Sequence, residues 1–137
     1  MIALNILKLL EQEGFGTIDT DLFFEEAPLD KQGNPVNGVW IVERGVPVTR
    51  FRVGIQAFDI YSRYTNKITG NQKLENILAY MQEAYGTVCT LPTVPPYTTT
   101  IYSNVTITPT SGIENVGTDE NNKIVRVISG QVQYERN

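Results

Sequence analysis

The alternation of apolar and polar residues changes phase in the middle of this chain, between residues 49 and 63. Apolar side chains first occupy odd positions and then even positions, namely Phe51, Val53 and Ile55 followed by Phe58 and Ile60. Successive side chains of a strand point to opposite faces, so the pattern predicts one long strand with a β-bulge or a switch of the buried face. Arg50 and Arg52 would lie on the opposite face and make it cationic.

Two segments have helical periodicity. The first is an N-terminal stripe, which predicts a helix that ends at Gly14 in a left-handed conformation: Ile2, Ile6, Leu9 and Leu10. The second stripe predicts a helix that ends at Gly86 and follows a weak capping box over residues 69–72: Leu74, Ile77, Leu78, Met81 and Tyr85.

The remaining apolar segments read as strands. Ile18, Leu22 and Phe24 alternate with Asp19 and Asp21, which predicts a half-buried strand over residues 17–24. A second strand is predicted over residues 39–43, with Gly45 and Pro47 breaking the chain before the central strand. Two closing strands are predicted over residues 98–108 and 123–134, the latter with another change of phase. Loops are predicted over residues 25–38, 90–97 and 111–122.

The predicted order is helix, three strands, helix and two strands. At 137 residues the chain fits a single domain spanning residues 1–137. We therefore expect an α+β fold, with a mainly antiparallel or mixed sheet of about five strands and two helices packed on one face.

Composition limits the chemistry that the chain can perform. With 15 acidic residues, 11 basic residues and a net charge of −4, it does not fit a dedicated nucleic-acid binder. The absence of histidine removes the usual general base near neutral pH and the commonest metal ligand. A single cysteine, Cys89, excludes an internal disulfide, and its proline-rich surroundings favour a buried, inert thiol. We expect no catalytic residue, no metal and no cofactor.

The N-terminal apolar run is too short to span a bilayer and lacks a basic leading segment, so no membrane role is expected.

Charged residues form two acidic groups and one basic group. Asp19, Asp21, Glu25 and Glu26 are the densest carboxylates, and they could bind a cation, act as an acid/base pair or simply be solvated. Glu114, Asp119 and Glu120 lack the ligand spacing of a calcium loop. Four arginines either form a solvated outer face or pair with these acidic segments of a neighbouring copy: Arg44, Arg50, Arg52 and Arg63. All eleven residues are candidates for a subunit interface.

A family resemblance comes from three segments. They are the run Gly38-Val-Trp-Ile-Val-Glu-Arg-Gly45, the run Phe51-Arg-Val-Gly-Ile-Gln-Ala-Phe-Asp-Ile-Tyr-Ser-Arg63 and the predicted helix over residues 74–85. With these segments the chain resembles the small minor capsid and tail-terminator proteins of long-tailed bacteriophages, in size and in order of elements. The resemblance covers residues 1–134 in layout and residues 38–86 in local sequence character. Residues 91–100 and 109–122 do not map onto it.

The resemblance implies a structural virion protein that forms a hexameric ring, caps the tail tube and joins it to the head–connector. Its partners would be copies of itself, the tail tube protein and head–tail connector or stopper proteins. DNA would pass through the lumen without specific binding, which an acidic balance suits. Such a protein has no cofactor and no catalytic residues, and it is assembled in the host cytoplasm before it resides in the virion.

Three alternatives remain beside this function. The chain could be a head–tail connector, stopper or neck subunit, or a non-phage module that binds a protein through an exposed sheet face. A small enzyme acting around Asp59 and Tyr61 is the third alternative.

Overall fold

The computed structural model describes residues 2–83, 90–119 and 121–136. Within these residues the elements follow the order α1 (Ile2–Gln12), β1 (Leu22–Phe24), β2 (Gly38–Arg50), β3 (Val53–Tyr64), α2 (Lys67–Glu83), β4 (Tyr102–Pro109), β5 (Glu114–Thr118) and β6 (Ile124–Arg136).

All the described strands belong to one mixed sheet in the order β1-β2-β3-β6-β4, with β5 also paired to β6. The pairing of β1 with β2 is parallel, and the other pairings are antiparallel. β4 pairs with residues 130–136 of β6, and β5 pairs with residues 124–127. These two strands therefore lie end to end along one edge of β6, and the sheet is five strands wide. The predicted α+β fold with about five strands is confirmed.

The core lies between the helices and one face of the sheet. Helix α1 packs against β1 and β2, whereas α2 packs against β3, β4 and β6. Buried side chains of both helices join those of the strands in one apolar cluster, which includes Ile41, Phe58, Ile60, Ile128 and Val132. Both helices thus cover the same face, as predicted.

The ends of the helices agree in part with the prediction. Gly14 has φ +87° and ends α1 in a left-handed conformation, as expected. Helix α2 begins earlier than the predicted capping box, because Asn66 caps it: its Oδ1 accepts hydrogen bonds from the amides of Ile68 (2.9 Å) and Thr69 (3.3 Å). The predicted end at Gly86 and the predicted buried thiol of Cys89 lie outside the described residues.

Four strand boundaries were predicted wrongly. The strand predicted from residue 98 begins only at Tyr102, because the amides of Tyr97 and Thr98 donate to the carbonyl of Val94 in a turn. Residues 17–21 form turns, in which the amides of Asp21 and Leu22 donate to the carbonyl of Thr17, so only residues 22–24 extend as β1. Strand β2 passes through Gly45 and Pro47, and the chain reverses later, at Phe51 and Arg52. The predicted 111–122 loop contains β5, because residues 114–118 find a partner in β6.

Neither a bulge nor a switch of the buried face occurs in β3. Its pairing with β6 runs unbroken from Val53 to Tyr64, and its even positions face the core throughout. Val53 and Ile55 lie on the opposite face, where they are 39% and 37% exposed. The change of phase in the sequence therefore arises because one regular strand carries apolar side chains on both of its faces.

Candidate functional site

The distal part of the β2–β3 hairpin, residues 44–55, is rich in exposed apolar side chains, and we call it the hairpin end. Among the described residues, it supplies five of the ten large apolar side chains that are markedly exposed: Val46, Val48, Phe51, Val53 and Ile55. Exposed apolar patches of this kind mark sites of interaction more often than isolated apolar residues do.

The tip of the hairpin end is a two-residue turn with an unusual occupant. Arg50 pairs with Val53, so Phe51 and Arg52 form the turn between them. Phe51 has φ +61°, and its side chain is 99% exposed. Glycine usually takes the first position of such a turn, because a β-carbon disfavours a positive φ by about 1–3 kcal/mol. The Phe51 ring is solvated, so intramolecular packing does not offset this strain.

A bulge shapes the β2 side of the hairpin end. The register between β2 and β3 shifts between Arg44 and Val48, and Gly45 has φ +74°. Gln56, which is only 2% exposed, donates its Nε2 hydrogens to the carbonyls of Arg44 (3.3 Å) and Gly45 (3.2 Å). This buried amide therefore satisfies backbone acceptors that the bulge removes from the regular ladder.

The outer edge of β2 is poorly suited to pairing with another strand. β1 covers this edge only at residues 39–41, and Pro47 lies farther along it, within the bulge. A proline has no N–H to donate, and edge prolines and bulges discourage strand addition. Contacts of the hairpin end with a partner would therefore depend on its side chains.

The outer face of the hairpin end combines apolar and charged groups. Val48 lies opposite Ile55, and Arg50 lies opposite Val53. Cross-strand neighbours share a face of the sheet, so these four side chains form one surface. Glu135 of β6 adjoins Val53 on this surface, and its carboxylate accepts a hydrogen bond from Asn104 Nδ2 at 2.9 Å.

Three of the four predicted interface arginines are exposed. Arg50 and Arg52 flank Phe51, and neither forms an ion pair with a residue in the described ranges. Arg44 Nε lies 3.7 Å from Asp59 Oδ1, and the Arg44 side chain is 55% exposed. Such a solvated pair is worth at most about 1 kcal/mol, so Arg44 could exchange this partner for another.

The fourth arginine, Arg63, lies inside the protein, and its place among the interface candidates is corrected accordingly. It is 6% exposed, donates to the carbonyls of Pro28 and Val36, and lies 5.5 Å from the centre of the Trp40 ring. Its Nε is 3.9 Å from Asp119 Oδ2. Burial lowers the pKa of Arg63, and the charge of Asp119 partly opposes this. Arg63 thus ties the 25–37 loop to the sheet within one chain.

The acidic segment over residues 19–26 lies beside β1, at the other end of β2 from the hairpin tip. Asp19, Glu25 and Glu26 are exposed, whereas Asp21 is partly buried and accepts a hydrogen bond from the amide of Thr17. Asp19 and Glu25 have φ +68° and +66°, so the backbone turns sharply before and after β1. The Glu25 carboxylate accepts the amide of Glu43 at 3.3 Å.

An open cleft of about 470 Å³ lies within this acidic segment. Five of the seven residues that line it are apolar and two carry carboxylates, so its surface is mixed in polarity. The lining residues are Asp19, Phe23, Phe24, Glu26, Ala27, Pro28 and Leu29. Leu29 is 59% exposed, so its side chain is available to a ligand. No lysine or arginine among the described residues lines this cleft. We call it the acidic cleft.

The second acidic group is not assembled into a site. Glu114 is exposed at the start of β5, and Glu120 lies outside the described residues. Asp119 Oδ1 accepts the amides of Asn121 and Lys123, both at 2.9 Å, which closes the turn before β6. Asp119 also faces Arg63 of its own chain, so its predicted pairing with a neighbouring copy is replaced by an intramolecular one.

Other candidate chemistry has structural explanations. Asp59 Oδ1 accepts a hydrogen bond from Ser129 Oγ at 2.6 Å, and Tyr61 stacks on Trp40 with ring centres 5.2 Å apart. In the described part of the chain, no group of three or more Cys, Asp or Glu side chains could hold a metal ion. No helix in the same part is long and apolar enough to cross a bilayer.

Comparison with known proteins finds no protein-family model that matches this chain and no significant match among curated proteins.

The charged residues of both surfaces were predictable from the sequence, whereas their apolar parts were not. Val48, Phe51 and Leu29 were not singled out as surface residues, and Gln56 was not recognised as the support of a bulge. The change of phase was the sequence feature that could have identified the hairpin end. Apolar residues at both odd and even positions of a strand cannot all lie on one buried face.

Proposed function

We propose that this protein is a structural subunit that self-associates into a ring, and that the ring is the tail terminator of a long-tailed bacteriophage. The observation that carries the proposal is the hairpin end, where Val46, Val48, Phe51, Val53 and Ile55 are all exposed. The order of elements along the chain, from N-terminal helix to closing strands, also suits the resemblance described above.

Burial of the hairpin end against a partner would be strongly favourable. Complete burial of one large apolar side chain contributes roughly 1.5–3 kcal/mol. Even partial burial of the five exposed side chains therefore supplies several kcal/mol of gross association energy, before the entropy cost of association is subtracted. A head-to-tail contact of this kind gives a closed ring when its rotation closes after a whole number of subunits.

The remaining parts of the proposal concern partners of the ring. It would cap the tail tube and contact the connector or stopper proteins, and DNA would pass through its lumen. The net charge of −4 per subunit disfavours adhesion of DNA to the ring.

The proposal is tested by measuring the mass of the purified chain and by imaging it. Native mass spectrometry and negative-stain electron microscopy at increasing concentration, with and without the tail tube protein of the same virus, should reveal a closed ring, with six copies expected. Tubes capped by the ring should stop growing. A strict monomer under both conditions would refute the proposal.

The same measurements distinguish the principal alternatives. A ring that binds connector proteins but leaves tube growth unchanged is a neck or stopper ring. A monomer that binds an unrelated protein through the hairpin end is a binding module.

A further inference from the structure

We propose that the hairpin end of one copy docks into the acidic cleft of a second copy, with Phe51 in the cleft and Arg50 and Arg52 facing Asp19 and Glu26. This inference rests on the proposed function, because it names the contact through which the ring would form. The partner of the exposed apolar tip would thus be the acidic cleft of a second copy of this chain.

The two surfaces are complementary in shape and polarity. The Phe51 ring is an exposed apolar knob, and the cleft of about 470 Å³ is large enough to receive it. Phe23 and Phe24 both belong to the lining of the cleft, so it offers apolar surface to a third aromatic side chain. Leu29, at 59% exposure, would be covered by the incoming hairpin.

Charge selects this cleft over its neighbour. A second groove shares Asp19 and Phe24 with the acidic cleft and also includes Tyr97, but Lys8 lines it. Glu11 pairs with Lys8 at 2.6 Å, so this groove keeps one net negative charge, from Asp19, whereas Asp19 and Glu26 give the acidic cleft two. Within the described residues the acidic cleft contains carboxylates and no basic side chain, so it better matches a tip with two arginines.

The contact cannot form within one chain. Phe24 of the cleft pairs with Ile41 of β2, whereas Phe51 lies ten residues farther along the hairpin. At about 3.3 Å per residue, the tip is roughly 30 Å from the cleft of its own chain. Two unlike patches at opposite ends of one subunit generate head-to-tail contacts, and a suitable rotation closes these contacts into a ring.

The strain at Phe51 gives the first test. Phe51→Gly removes the ring and relieves the positive φ, so the variant should be at least as stable as the wild type in urea unfolding. Its subunit association, followed by sedimentation velocity across a concentration series, should nevertheless weaken by at least about 30-fold, as expected for the loss of an aromatic anchor. Tyr97→Ser, in the neighbouring groove, is the matched control and should leave association unchanged.

A charge exchange gives the second and sharper test. One variant carries Arg50→Glu and Arg52→Glu, and the other carries Asp19→Arg and Glu26→Arg. Each variant alone would place like charges in contact and should remain monomeric. In a mixture, the acidic tip of the first fits the basic cleft of the second, and the unmodified tip of the second fits the unmodified cleft of the first. An alternating assembly with equal numbers of both variants should therefore form.

The outcomes separate this inference from the proposed function. Association of the wild type, its loss in Phe51→Gly and its recovery in the mixture would support both. If the wild type forms rings and the variants form them equally well, or if mixing restores nothing, the contact is elsewhere and only the inference fails. A wild type that stays monomeric with and without the tail tube protein overturns both.

Discussion

Gly130→Ala is a stringent test of how the central strands pack. Gly130 in β6 lies directly opposite Phe58 in β3, and the Phe58 ring covers it. A β-carbon at position 130 would lie 2.8 Å from Phe58 Cζ and 3.2 Å from the carbonyl oxygen of Thr108. Phe58 is fully buried in the centre of the core, so its ring can move away only by displacing other core side chains.

The expected loss follows from two opposing effects. Overpacking a well-filled core costs about 1–3 kcal/mol, whereas replacing glycine by alanine within a strand recovers about 0.5–1 kcal/mol of backbone entropy. The free energy of unfolding should therefore fall by about 1–2 kcal/mol. For a chain of 137 residues this corresponds to a decrease in Tm of about 3–8 °C.

The assay is urea unfolding at a concentration where the protein is monomeric, since association would add its own stability. Gly112→Ala is the matched control, because a β-carbon there meets no atom within 4 Å. It should be neutral or slightly stabilising. Phe58→Leu opens space for the new methyl group, so the double variant with Gly130→Ala should lose less stability than the sum of the two single losses.

Two results would refute this reasoning. Gly130→Ala could unfold at the same urea concentration and with the same slope as the wild type, which would mean that the ring does not press on this position. The double variant could instead show strictly additive losses. That result would mean that Phe58 and residue 130 do not interact.

Three further predictions concern other contacts. Gln56→Leu should lower the free energy of unfolding by about 1–3 kcal/mol and reduce hydrogen-exchange protection over residues 44–48, because the bulge loses its buried donor; unchanged protection would contradict this. Arg63→Met should lower the free energy of unfolding in urea by about 2–4 kcal/mol, because the methionine leaves buried carbonyl acceptors without a donor. Arg63→Lys should restore only part of this loss. Hydrogen bonding to Lys8 and to a backbone amide lowers the pKa of Glu11, so its carboxylate stabilises the fold at neutral pH, and this contribution is lost as the pH falls through the folded-state pKa. Glu11→Gln should therefore flatten the fall in stability between about pH 5 and pH 3, and a curve parallel to that of the wild type would count against the effect.

The overall fold was predictable because its signals are local and repeated. The apolar stripe of α1 and its Gly14 terminus specify a helix without help from the rest of the chain. The stripe from Leu74 to Met81 does the same for α2. Helical periodicity extends over several turns, so a single unusual residue does not obscure it.

The strand boundaries were not predictable, because long-range pairing overrides local turn chemistry. Gly45 and Pro47 are the residues that would ordinarily mark a turn, yet they form a bulge inside β2. The actual turn at Phe51 and Arg52 contains neither glycine nor asparagine, so no local signal identifies it. Pairing of β3 with β6 along the whole of Val53–Tyr64 determines where the hairpin must reverse.

The candidate site was predictable in its charges but not in its geometry. Arg50 and Arg52 are exposed as expected, and three of the four carboxylates over residues 19–26 are exposed beside β1. The sequence does not distinguish Arg63 from these arginines, yet Arg63 is buried. Its burial depends on carbonyls of Pro28 and Val36, which lie far from it in sequence. Only the folded chain distinguishes an exposed arginine from one that ties down its own loop.

The exposure and the backbone strain of the hairpin end both agree with the proposed contact to another molecule. An isolated chain gains nothing from a strained Phe51 whose ring is 99% exposed, or from Val46 at 87% exposure. Conflicts between local preference and the folded chain tend to concentrate at functional sites, where a partner supplies the compensation. The change of phase in residues 49–63 would have the same explanation under this proposal, since a strand buried by its own core on one face and by a partner on the other needs apolar residues on both. The self-association proposed above would account for the sequence pattern and for the strain with one contact.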